Sequence, residues 1–90
     1  MDKRMHVLYS GSVHGVGFRY TAERIAESLG LTGWVKNLRD GRVEIVCEGK
    51  EPALKEFLQK IEGIFKDYIR NSDIEWNDAT KEFEIFDIRF

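Results

Sequence analysis

The stretch Gly11-Ser12-Val13-His14-Gly15-Val16-Gly17-Phe18-Arg19 joins two runs of different periodicity. Ahead of it, Met5, Val7 and Tyr9 alternate with His6, Leu8 and Ser10, the two-residue period of a strand. Behind it, Ala22, Ile25, Ala26 and Leu29 recur at helical spacing within Tyr20–Leu29, and Gly30 stops the run as a C-terminal cap would. A glycine-rich turn between a strand and a helix N-terminus gathers backbone N–H groups around one point, where the helix dipole adds partial positive charge. Arg19 sets a permanent cation with a planar donor fork at the edge of that cradle. A phosphate-sized oxyanion suits it. The glycines at 11, 15 and 17 do not give G-x-G-x-x-G, and no Gly-Lys-Ser/Thr follows.

Working outward, Leu31–Leu38 reads as a second strand, Arg39-Asp40-Gly41 as a tight turn, and Arg42–Glu48 as a third strand. Val43, Ile45 and Cys47 share one face of that third strand, with Arg42, Glu44, Val46 and Glu48 on the other. Pro52 is preset for a first helical turn, and Leu54, Phe57, Leu58, Ile61, Ile64 and Phe65 then follow at helical spacing. Lys66–Ser72 reads as connection. Ile74 and Trp76 mark a strand, residues 77–80 a turn, and Glu82–Phe90 a last strand. Two helices with one apolar stripe each can cover only one face of a sheet. The expected fold is therefore α+β, a ferredoxin-like βαββαβ sandwich on an antiparallel sheet with a short extra C-terminal strand.

Ninety residues are expected to form a single domain, 1–90, without linkers or low-complexity segments. Fourteen basic residues against sixteen acidic give a net charge of −2, which lacks the basic footprint of a nucleic-acid binder. The single cysteine forms no internal disulfide, and no run approaches the roughly 20 apolar residues of a membrane helix. A soluble, cytoplasmic monomer without membrane or nucleic-acid partners is the expectation. His6, His14 and Cys47 share no metal-ligand spacing. Cys47 reads as a buried small hydrophobe rather than a nucleophile. The Cys-x5-Arg pattern of thiol phosphatases is absent, because position 53 is alanine. His6 reads as a packed or surface residue, and Glu44, Glu48, Glu82 and Glu84 as solvent-facing.

A second landmark follows the first: Gly33-Trp34-Val35-Lys36-Asn37-Leu38-Arg39-Asp40-Gly41. Together the two closely resemble the motifs of the acylphosphatase family, and the order of elements agrees over nearly the whole chain. The resemblance implies metal- and cofactor-free hydrolysis of an acyl phosphate to a carboxylate and inorganic phosphate. It assigns the substrate phosphate to Arg19 and to the backbone of Val13, His14, Gly15, Val16, Gly17 and Phe18, and the nucleophilic water to Asn37. A carboxamide is no strong base, but it can orient water by accepting and donating hydrogen bonds. The family usually carries glutamine where this chain has His14. The His14 side chain is expected to point outward, with added charge near the anion as the alternative when the ring is protonated. Trp34 reads as core or rim packing beside the site.

The competing reading of the same elements is a non-catalytic ferredoxin-like module that binds an anionic ligand or RNA. Gly15-Val16-Gly17-Phe18-Arg19 superficially suggests an RNA-recognition strand, but it precedes a helix, and the strands lack a row of exposed aromatics. A larger maturation protein opening with such a domain is disfavoured by the strand that closes the chain at Phe90.

Overall fold

A computed structural model describes residues 2–90. The elements run β1 (Asp2–Gly11), α1 (Phe18–Ser28), β2 (Thr32–Asn37), β3 (Val43–Lys50), α2 (Glu51–Ile64), β4 (Ile69–Asp78) and β5 (Phe86–Arg89). The strands form one sheet in the order β4-β1-β3-β2-β5. The four longer strands pair antiparallel, as expected of a ferredoxin-like α+β sandwich. The sheet as a whole is mixed, because β5 lies parallel to β2, with Gly33 opposite Phe86 and Lys36 opposite Arg89. This corrects the all-antiparallel expectation. A hairpin would have folded β5 back onto its predecessor; instead the chain leaves β4 at one edge and joins the sheet at the other.

Both helices lie on one face, as their single stripes require. Met5, Val7 and Tyr9 of β1, Val35 of β2 and Val43, Ile45 and Cys47 of β3 are buried in the core. Phe18, Ala22, Ile25 and Ala26 of α1 and Leu54, Phe57 and Ile61 of α2 close over them. Phe18 stacks on Phe65 with ring centroids 4.4 Å apart, joining the two helical segments above Tyr9. Ile64, part of the expected apolar stripe of α2, is instead exposed at its end. Gly33 has φ 135°, and a Cβ there would collide with the Val46 carbonyl, so β2 and β3 can approach only with glycine at this position.

The opposite face is covered differently. Residues 79–85 form a strap that carries the chain from the β4 edge toward β5. Glu48, expected in solvent, is 4% exposed beneath it. Its carboxylate accepts the Thr80 N–H at 2.9 Å, the Lys81 N–H at 3.0 Å and the Thr80 hydroxyl at 3.1 Å. Arg4 on β1 donates to Glu82 at 2.7 Å and to Thr80 Oγ1 at 3.1 Å, and stands over the Phe83 ring. Residues 82–85, expected as strand, therefore belong to the strap, while β4 starts at Ile69 within the expected connection.

Candidate active site

β1 and β2 flank β3 and are both antiparallel to it, so they run in the same direction and end at the same edge of the sheet. Val43 fixes the register there: it pairs with Tyr9 on one side and with Asn37 on the other. Along β2, Gly33, Val35 and Asn37 point toward the helix layer, because side chains alternate. Asn37 thus ends the core-facing row at the edge where β1 leads into the glycine loop and α1.

The loop is anchored at both ends by apolar burial, Val13 and Phe18, while Gly15 and Gly17 between them are exposed. Gly17 caps α1 with φ 76°, and nothing lies within 4 Å of where its Cβ would be. Glycine is needed there for the left-handed backbone rather than for space. The first turn of α1 carries no acidic side chain and no side-chain cap. Among the described residues, no backbone N–H from Val13 to Phe18 donates to another backbone carbonyl. These donors are at the positive end of the helix.

Val13, Gly15, Gly17, Phe18, Arg19, Tyr20 and Asn37 line one concavity of about 240 Å³. Arg19 and Asn37, remote in sequence, are therefore brought together. Among the described residues, no carboxylate pairs with Arg19. Its guanidinium is under the Phe90 ring, 4.7 Å from the centroid. Asn37 Oδ1 is buried and accepts no hydrogen bond among the described residues. A buried orphan acceptor costs free energy, about 1–3 kcal/mol, and is a place to look for a bound donor such as water. A larger hollow of about 340 Å³ lies elsewhere, between Lys3, Glu51, Lys55, Trp76, Asn77 and Asp78. Its opposed charges suit an anion less well than the loop does.

His14 is exposed, as expected, yet engaged: its Nε2 is 3.0 Å from the Arg42 carbonyl oxygen. Val16 packs partly against the core. Trp34 is placed away from the cleft, on the strap side of the sheet with Arg89 4.8 Å over its ring. His6 meets Glu44 at 2.7 Å on that same face. Cys47 is fully buried, and burial pushes its thiol up to about 12, which keeps it protonated and unreactive. Tyr20 and Phe90 were not anticipated at the site. Tyr20 merely follows Arg19 in sequence, whereas Phe90 arrives through the parallel β2–β5 register, which no local pattern announces.

The acylphosphatase family model matches residues 5–88. An acylphosphatase of Caldanaerobacter subterraneus subsp. tengcongensis is 38% identical over 90 residues, covering 96% of this chain and 100% of that one. An acylphosphatase of Methanospirillum hungatei is 52% identical over a shorter stretch of 59 residues, 66% of this chain and 65% of that one. The crystal structure of acylphosphatase from Bacillus subtilis superposes with a TM-score of 0.89 at 31% identity, over 98% of this chain and 99% of that one.

Proposed function

The chain belongs to the acylphosphatase family and is a hydrolase of that class, and on that premise we propose how its cleft works. Arg19 holds two phosphate oxygens of an acyl phosphate in bidentate fashion, and the backbone N–H groups of Val13, His14, Gly15, Val16, Gly17 and Phe18 surround the third. Asn37 orients the attacking water through its buried, unpartnered Oδ1. The water oxygen forms a bond to phosphorus as the bond from phosphorus to the acyl oxygen breaks. The carboxylate departs with the electron pair, and the water proton passes to a phosphate oxygen.

A leaving carboxylate is a weak base, so this reaction needs no general acid. Positioning of the water and stabilisation of charge on the equatorial oxygens are sufficient. The observation that carries the reading is the Tyr9–Val43–Asn37 register, which sets a buried acceptor in the same cleft as Arg19, both of them unpaired among the described residues. The same reading takes the chain as a cytoplasmic, monomeric, single-domain enzyme working without a metal. Among the described residues, no helix is long and apolar enough to cross a membrane.

The test is turnover of benzoyl phosphate with EDTA present. The parent should release phosphate rapidly, Arg19→Ala should lose binding and turnover together, and Asn37→Ala should lose kcat with KM little changed. An Asn37→Ala enzyme with the parent's kcat would refute the water-orienting role.

A further inference from the structure

We propose that His14 is a positioning residue for this reaction, its ring N–H tying the phosphate loop to the hairpin that presents Asn37. The inference rests on the hydrolytic reading above. A carbonyl oxygen only accepts, so the 3.0 Å contact with Arg42 requires the proton on His14 Nε2. The same oxygen accepts the Leu38 N–H at 2.8 Å, closing the β2–β3 hairpin one residue beyond Asn37. Arg42 is held in turn by Asp40, whose carboxylate accepts the Arg42 N–H at 3.1 Å and Nε–H at 2.9 Å. Those bonds, the backbone one first, hold the Asp40 carboxyl below its ordinary value.

The acceptor therefore sits on a braced turn, next to Val43 in the row that fixes Asn37. On the loop side, His14 stands between the two buried anchors, Val13 and Phe18. Among the described residues, its bond is the only polar tie between residues 13–18 and the hairpin. The ring does not line the cleft, so it acts through the distance between cradle and water site, not by touching substrate. A glutamine carboxamide has comparable reach and keeps a donor; alanine and methionine have none.

The experiment compares His14→Ala, His14→Met and His14→Gln by benzoyl phosphate kinetics and by titration with inorganic phosphate. Displacing the water site relative to the phosphate should lower kcat about tenfold in the alanine and methionine variants. KM and phosphate affinity should stay within about twofold, because cradle and Arg19 are intact. His14→Gln should recover most of the lost turnover. Full kcat in the donor-free variants, a glutamine variant as slow as alanine, or loss of phosphate affinity alongside kcat would each overturn the proposal. Nitrogen NMR of ¹⁵N-histidine in the parent protein reads the tie without turnover. Protonation at Nε2 in the neutral ring is expected, and an Nδ1–H tautomer would overturn it. A parent inactive on benzoyl phosphate but showing the Nε2–H tautomer would instead count against the hydrolytic reading alone.

Discussion

Asn37 concentrates its chemistry in one atom. Its Oδ1 is buried and, among the described residues, accepts no hydrogen bond, so it is open to a donor such as water. Asn37→Ala should cut kcat about 10²-fold or more while leaving Tm little changed, measured side by side on one preparation. Gly17 behaves in the opposite sense. Its φ of 76° is left-handed, and an alanine Cβ would meet no neighbour there, so the penalty is conformational alone. Gly17→Ala should cost about 1–2 kcal/mol in urea unfolding. It should also weaken inorganic phosphate binding if the backbone relaxes away from the cradle. These two substitutions separate the stability and activity contributions of the site more cleanly than Arg19→Ala, which removes a cation and its contact with Phe90 at once.

Among the elements, the strap over residues 79–85 gives three of its hydrogen bonds to one side chain, Glu48. Glu48→Ala would leave the Thr80 and Lys81 N–H groups without their acceptor and should destabilise the fold by roughly 2 kcal/mol in urea unfolding. It should leave kcat unchanged, since Glu48 is on the face away from the cleft. No local pattern foretold this carboxylate's burial: its partners are backbone groups more than thirty residues away. Alternation along Glu82–Phe90 was legible, but alternation reports one covered face, not a hydrogen-bonded neighbour. The segment divides into strap and a short β5 for that reason. β4 was under-read at its start because Arg70, Asn71, Ser72 and Asp73 are exposed polar residues of an edge strand. In contrast, β1, β3 and both helices were plain from their periodicities, and so was the loop, whose glycines and arginine carry their meaning locally. That Arg19 and Asn37 meet could be expected from the two motifs. That His14 is bonded to the hairpin could not, because the Arg42 carbonyl is common to every residue type.

For the whole molecule, two protonated groups in the core set an alkaline limit. Burial pushes the Cys47 thiol from 9.0 to about 12. Burial, reinforced by the Glu62 carboxylate to which it donates at 2.9 Å, pushes the Tyr9 phenol strongly upward. Both groups release protons more readily in the unfolded chain, so their contribution is intact below about pH 9 and is lost as pH climbs toward 12. The urea midpoint should fall between about pH 8 and about pH 10.5, and fall less in Cys47→Ala than in the parent. The register through Val43 has a different consequence, one of timing. Neither Tyr9 nor Asn37 can find its place until β3 has zipped between two strands that never touch each other. Helices and loop can form early from local contacts, yet the cleft shared by Arg19 and Asn37 comes into being only when the centre of the sheet closes. In a refolding experiment the onset of turnover would then act as a clock for that closure, trailing the recovery of helical circular dichroism whenever the two are separable.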